Sequence, residues 1–294
     1  MDHFLSFLDY LEFEKRYSGL TIESYRTDLL QFEQFCSKLD IITIYLVDSK
    51  IIRSWIVSLI EGGCSNRSVN RKISTLKSFF KYHLRQGTIQ NNPLLKIQSL
   101  KNRKLVPVFV TQNQIQQLLE EVEFGSDLTG CRNRLIVELL YFTGIRLSEM
   151  IHLKKSDIDR QNLTLKVLGK RNKERILPIT HSMIKSIDSY VLISDSEALI
   201  SGEGYLIVTN SGEKLYPKMV YRIVRNAIGQ VTTMEKRSPH VLRHTFATHM
   251  LNNGAGISVI KELLGHSSLA ATQIYAHSTF EKLKSVYKQA HPRA

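Results

Sequence analysis

Residues 240–251 read H-V-L-R-H-T-F-A-T-H-M-L, and residues 263–277 read L-L-G-H-S-S-L-A-A-T-Q-I-Y-A-H. Both runs combine helix-forming apolar residues with side chains suited to an anionic substrate. Ser238-Pro239 opens the first helix, because proline is pre-set for the first helical position, and this puts His240 and Arg243 one turn apart. Gly254 and Gly256 end that helix, and Gly265 closes the next one directly before His266. Tyr275 follows nine residues beyond His266.

These residue types suit a phosphodiester. It is an anion that repels nucleophiles, so attack on it requires its non-bridging oxygens to be neutralised where charge gathers in the transition state. Arginine does this through a planar fork that stays charged at any working pH. Histidines near neutrality donate to the same oxygens or move a proton to and from the attacking hydroxyl. A tyrosine hydroxyl, with a free pKa of about 10, needs such neighbours to become a nucleophile. The product of its attack would be a phosphotyrosine, which conserves the energy of the broken bond and allows resealing without ATP.

Two further motifs stand upstream, T-G-I-R-L-S-E at 143–149 and G-K-R-N-K-E-R at 169–175. Together the four resemble the catalytic core of the tyrosine recombinases, the phage integrase family, and most closely the bacterial Xer recombinases. His240 and Arg243 match the family's H-x-x-R, His266 its L-G-H, and Tyr275 the nucleophile of T-Q-I-Y. Arg146 matches the first catalytic arginine, and Glu149 the acid that supports the catalytic groups. Lys170 matches the lysine of the G-K-G-N-K-E-R hairpin, the proton donor to the leaving oxygen. Arg171 departs from the family's usual glycine, which stiffens the turn or adds a phosphate contact and leaves Lys170 and Lys173 both as candidates for the productive approach. Four motifs in one order over about 130 residues are far more specific than any one of them.

The resemblance implies a mainly α fold with a small β-sheet, in which an N-terminal helical, SAM-like core-binding domain precedes an α+β catalytic domain. It also implies cleavage through a 3′-phosphotyrosine and a Holliday junction, by a homo- or hetero-tetramer on two synapsed duplex sites, with no cofactor. Zinc is the alternative use of His240 and His244, four apart on one helix. The residue after His240 is Val241 rather than glutamate, and no third ligand has suitable spacing, so no metal site is expected.

Composition agrees. The chain has 294 residues, 43% of them hydrophobic, which suffices for two domains with their own cores. Forty Lys and Arg against 27 Asp and Glu leave a charge of +13, favouring a polyanionic partner. No run of about 18 apolar residues is present and the start carries no export signal, so a membrane is not expected as partner. Cys36, Cys64 and Cys131 form no C-x-x-C pair and read as reduced thiols of a cytoplasmic protein, which the resemblance implies to be nucleoid-associated.

Residues 1–98 read as a helical DNA-binding domain. Phe4, Leu5, Leu8, Leu11 and Phe13 mark a first helix. Thr21 is placed to cap a second helix through Phe32 to Leu39, Asp48 a third through Trp55, and a fourth spans Asn66 to Gln86. No Asp or Glu occurs between Glu61 and Glu120, an interval that holds ten Lys and Arg. Such a run is most often a solvated face, but here it lies on a strongly amphipathic helix and continues into the linker. Arg67, Ser68, Arg71, Lys72 and Lys77 are therefore candidate DNA contacts.

Residues 99–108 form a basic linker ending near Pro107, with Arg103 and Lys104 as further contacts, crossing the backbone of a duplex clamped between two domains. The catalytic domain, 109–294, opens with a helix capped by Thr111 and continues with an apolar helix from Cys131 to Phe142 that Gly144 ends. Leu163 to Leu168 and Arg175 to Ile179 read as a hairpin, and Leu206-Ile207-Val208 as a short strand. Helices follow at 182–192 and 218–231, the latter with Arg222 and Arg225 facing DNA. A terminal helix, 279–290, packs on its own domain or on a neighbouring subunit.

The absence of an arm-binding module from the short N-terminal region favours Xer-like chromosome dimer resolution, with a second recombinase and a DNA-translocase regulator as partners. Integration, excision or inversion of a mobile element is the alternative. A type IB topoisomerase shares the chemistry but needs no synapsis, and a non-catalytic DNA-binding protein would have no use for so complete a set of side chains.

Overall fold

The computed structural model describes residues 4–101, 108–169, 173–197, 204–265, 285–287 and 289–291. The chain divides into two compact units, Met1–Leu105 and Val106–Ala294.

In the first unit, α1 (Leu5–Asp9) runs on through a π-helical turn at Tyr10–Glu14. Helix α2 (Gly19–Ser37) starts earlier than the expected cap, Thr21. Ser18 is the extended residue before it, and its hydroxyl lies 2.8 Å from that of Thr21, which sits inside the first turn. Asp48 does cap α3 (Ser49–Glu61), accepting from the backbone N–H groups of Lys50 at 2.8 Å and Ile51 at 2.9 Å. Ser65 caps α4 (Asn66–Arg85) in the same way. The apolar stripes of the four helices meet in one core around Phe7, Leu29, Phe32, Trp55, Ile73 and Phe79. Phe7 and Phe79 pack edge to face at 5.4 Å between ring centres, an arrangement that favours one fit over a fluid one.

In the second unit, Thr111 and Gln114 form a capping box at the start of α5 (Gln112–Glu120). Helix α6 (Leu128–Thr143) is buried around most of its circumference, from Leu135 through Thr143 without a break. A helix apolar on all sides belongs at the centre of a domain, and α6 packs against both α8 (His181–Ser196) and α10 (Pro239–Asn252). Gly144 ends it in the left-handed conformation, φ 59°. The short α7 (Leu147–Met150) follows, then α9 (Pro217–Val231) and α11 (Ile257–Leu263) further along the chain.

Between α7 and α8 lies an antiparallel sheet of three strands in the order β1 (Ile158–Asp159), β2 (Thr164–Leu168), β3 (Glu174–Pro178). The β2–β3 register pairs Leu165 with Leu177 and Val167 with Arg175. Strand β1 was not legible, because two residues carry no alternation. Leu206-Ile207-Val208 does not form the expected strand. All three residues are buried in the core, and the backbone nearby makes only isolated bridges, Lys154 with Tyr205 and Val208 with Lys214.

Near the C-terminus, residues 285–287 and 289–290 are helical. The Tyr287 hydroxyl donates to Phe142 O at 3.0 Å, and Asn253 Nδ2 donates to Ala290 O at 2.7 Å. These described residues of the terminal segment sit on their own unit.

Candidate active site

The site is built around the break between α6 and α7. Gly144 makes the break tight: a Cβ there would lie 2.5 Å from Phe246 Cδ1 and 3.0 Å from Leu264 Cδ2, so α10 and α11 close against bare backbone. Two residues later Arg146 stands at the N-cap of α7. Its backbone N–H donates to Glu149 Oε2 at 2.7 Å, and its Nη1 donates to Glu149 Oε1 at 2.7 Å. A three-residue spacing on the surface would make this a weak pair, but Glu149 is buried.

Two more guanidiniums reach the same place. Arg175 on β3 donates through Nη1 to Glu149 Oε1 at 3.0 Å and through Nη2 to Oε2 at 2.8 Å. Arg243 on α10 donates to Gly144 O at 2.5 Å and to Leu264 O at 2.6 Å. Arg146 Nη2 donates to Gly265 O at 3.0 Å. The structure thus brings Arg146 and Arg243, 97 positions apart in the chain (243 − 146), onto the carbonyls of adjacent residues.

The electrostatics follow from burial and charge count. Burial alone would push the Glu149 carboxyl up, but hydrogen bonds from Arg175 and from the Arg146 backbone, with the Arg175 charge, outweigh it and hold the group at about 2. Arg243 is lowered to about 10, by burial first and then by the Arg146 charge, with Glu149 opposing. It remains a cation at neutral pH. Three guanidiniums against one carboxylate leave a cluster of charge +2 (3 − 1), whose most exposed member is Arg146, with 33% of its side chain accessible. A buried excess of positive charge with one open edge is suited to an anion.

His240 lies in the first turn of α10, three residues before Arg243, and is exposed. His249, further along α10, is buried with Nδ1 3.1 Å from the Tyr141 hydroxyl and belongs to the core. Lys170, Arg171, His266 and Tyr275 lie outside the described residues, as do Arg103 and Lys104. Among the described residues no group of three or more His, Cys, Asp and Glu could hold a metal, and no helix is long and apolar enough to cross a membrane.

In the first unit, Arg67 is exposed at the start of α4, while Ser68 and Lys77 are half-buried. Lys72 is a correction. It is buried, and its Nζ donates to Asp28 Oδ1 at 2.9 Å and to Gln31 Oε1, so it is not a surface phosphate contact. The helical period that makes α4 amphipathic also turns position 72 toward α2. Arg71 donates to Asp28 Oδ2 at 2.5 Å and to the Ser24 hydroxyl but keeps 46% of its side chain accessible. On α9, Arg222 and Arg225 are exposed, one turn apart, with Arg222 Nη2 3.1 Å from the Tyr216 hydroxyl.

Two participants escaped the sequence reading, Asp28 and Arg175. Both carry the same signal, a charge at a position the local period turns inward. Asp28 falls between Tyr25 and Phe32 on the apolar stripe of α2, and Arg175 shares the face of Leu177 on β3 while opposing buried Val167.

A helical first unit, and a second in which a glycine-ended helix, a three-stranded sheet and two remote arginines converge, define the class of the tyrosine recombinases. The chain belongs to the phage integrase family: residues 108–282 match that family and residues 4–87 its N-terminal SAM-like domain. It is 37% identical over 289 residues to the tyrosine recombinase XerC of Staphylococcus saprophyticus, covering 98% of this chain and 97% of the relative. To the tyrosine recombinase XerC of Chlorobaculum parvum it is 35% identical over 314 residues, covering 98% and 94%. Among solved structures, the XerH site-specific recombinase in a post-cleavage complex with palindromic difH substrate superposes with a TM-score of 0.73 at 25% identity, over 90% of this chain and 78% of that one. Site-specific recombination of the Xer type is the activity these relatives carry and the activity of this enzyme.

Proposed function

We propose that the protein cuts one strand of a duplex at each of two synapsed sites by attack of the Tyr275 hydroxyl on a phosphodiester. The P–O bond to the 5′ oxygen breaks as the bond to tyrosine forms, leaving a 3′-phosphotyrosine and a free 5′-hydroxyl. Arg146, Arg243, His240 and His266 neutralise the phosphorane oxygens, Glu149 supports the arginines, and Lys170 gives its proton to the departing oxygen. The 5′-hydroxyl of the partner strand then attacks the phosphotyrosine, regenerating the phenol and producing a Holliday junction on the way to full exchange. Every bond broken is replaced by one of similar energy, so the cycle needs no nucleotide.

The observation that carries this reading is the convergence of the Arg146 and Arg243 guanidiniums on the carbonyls of Gly265 and Leu264, in a cluster with net positive charge. That cluster stands at the chain position from which His266 and Tyr275 follow. Arg67, Ser68, Arg71, Lys77, Arg222 and Arg225, with Arg103, Lys104 and Arg171, hold the flanking duplex through its phosphates. The biological task is chromosome dimer resolution in the cytoplasm, at the nucleoid, by a tetramer formed alone or with a second recombinase and regulated by a DNA translocase. A nicked suicide duplex tests the chemistry: the wild type should become covalently attached to it, and the reading fails if Tyr275→Phe protein is trapped equally well.

A further inference from the structure

The end of α11 is held by three arginines from three parts of the fold. Arg175 donates through Nε to Leu263 O at 3.0 Å, Arg243 through Nη2 to Leu264 O at 2.6 Å, and Arg146 through Nη2 to Gly265 O at 3.0 Å. A helix leaves its last carbonyls without intrahelical partners, and here those of Leu263 and Leu264, with that of Gly265 just beyond the cap, each meet a different guanidinium. Of the three arginines, Arg175 alone has no part in the phosphate chemistry proposed above.

We propose that Arg175 is a positioning residue for strand cleavage, clamping Glu149 and the end of α11 in one fork and so setting where the guanidiniums of Arg146 and Arg243 stand. The inference rests on the reading of those two arginines as the phosphate-binding pair. All three nitrogens of Arg175 donate inward, two to the Glu149 carboxylate and one to Leu263 O, and only 14% of its side chain is accessible. The same two Glu149 oxygens accept from the Arg146 backbone and side chain, so Arg175, Glu149 and Arg146 form one connected chain.

The backbone fits closely against the guanidinium at Gly265. At Gly265, φ 63°, a Cβ would lie 3.1 Å from Arg175 Nη1. At Gly169 it would lie 3.5 Å from the same nitrogen and 3.6 Å from Glu149 Oε1. Gly265 thus leaves room for a planar fork, whose three separated nitrogens reach acceptors that the single nitrogen of a lysine does not span.

The test uses the full-length protein and a nicked duplex carrying a site that this protein selects from random-sequence DNA. Arg175→Met should form the covalent complex about 100-fold more slowly, the loss expected when reacting groups are misplaced by about 1 Å. Its affinity for the same duplex should stay within about threefold of the wild type. Glu149 is faced by Arg146 from its own element, Arg175 from β3 and Arg243 from α10. Without the Arg175 fork, burial drives Glu149 toward protonation, so the ratio of variant to wild-type rates should fall further as pH drops from about 7 to about 5. Rates are taken per folded protein, measured by circular dichroism at each pH, so that a general loss of folded protein does not enter that ratio.

The double variant with Glu149→Gln should cleave no more slowly than the worse single variant, because both act through one connection. Arg175→Lys keeps the charge and the stem but not the fork, and should show a loss of the same sign with a shallower pH dependence if Arg175→Met does not fold. Near-wild-type rates in the folded variant, a pH-independent ratio, or losses that multiply in the double variant would each overturn the proposal. Failure of the wild type to be trapped would instead sink the phosphotyrosine reading.

Discussion

Each unit holds a buried carboxylate shared by more than one cation, and the two clusters resolve their charge differently. In the first, Asp28 takes Arg71, Lys72 and the Thr75 hydroxyl, the last at 2.9 Å, so that one acid joins α2 to α4 against two cations. In the second, Glu149 takes Arg146 and Arg175, and Arg243 stands alongside on backbone carbonyls, so three cations meet one acid. The surplus teaches what each cluster does. The first has its buried ammonium matched by a carboxylate and acts as a joint between helices, with Arg71 left accessible at its rim. The second holds +2 (3 − 1) against +1 (2 − 1) in the first, and its excess is gathered on three converging guanidiniums of which Arg146 remains accessible, which is the condition for receiving a phosphate.

Removing each acid while keeping its shape is the strongest way to break this contrast. Asp28→Asn leaves the Lys72 ammonium buried without its counter-charge, which should cost about 3–5 kcal/mol of unfolding free energy. In the cold, where the variant is folded, its rate of covalent-complex formation should remain near that of the wild type. Glu149→Gln should also destabilise, but its larger signature should be a cleavage rate about 100-fold lower in protein that is demonstrably folded, because Arg146 loses its orientation. Denaturation curves and single-turnover trapping on the same samples separate the two. If Asp28→Asn stopped cleavage in folded protein, or Glu149→Gln left it untouched, the division into joint and anion seat would not stand.

A smaller effect concerns acid. Glu149 is held at about 2 against an ordinary value of 4.5, so its folded-state pKa is depressed. A depressed carboxylate contributes stability that is fully present above the unfolded pKa and is lost as pH falls through the folded one. The contribution is on the order of 3 kcal/mol above about pH 5, declining between about pH 4.5 and pH 2. Urea titrations of the wild type and of Glu149→Gln should therefore differ at pH near 6, and the gap should narrow by roughly 2 kcal/mol at pH near 3. A gap independent of pH would mean that the arginines do not hold this carboxylate in its anionic form.

What was legible in the sequence follows the same physics. Helices α3, α5 and α6 announce themselves through Asp48, Thr111 and Gly144, because caps and left-handed glycines act locally. The T-G-I-R-L-S-E and H-V-L-R-H motifs name Arg146 and Arg243, yet only the folded chain shows the carbonyls of residues 263–265 that gather them. Those carbonyls are backbone, and no residue type advertises them. The alternation before it and the run Arg175 to Ile179 mark Arg175 only as part of a hairpin arm, while its inward direction depends on the pairing with buried Val167. Lys72 was misread for the converse reason. A cation on a basic helix looks like its neighbours until the partner acid, 44 positions earlier, is placed beside it.

The mildest test sharpens the contrast from the side of the first unit, since it asks which of the α4 cations meet solvent. Neutralising a phosphate-contacting cation lowers the steepness with which DNA affinity falls with salt by about one counterion. Arg67 is exposed at the start of α4, and Arg67→Ala should show that reduction. Lys72→Met removes the same formal charge from the same helix but from a buried position, and Asp28 still accepts from Arg71 and Thr75. Its salt dependence should match the wild type even where its thermal stability falls. Should the two variants lower the slope equally, Lys72 would have to leave Asp28 when DNA binds, and the first cluster would be a phosphate seat in waiting rather than a joint.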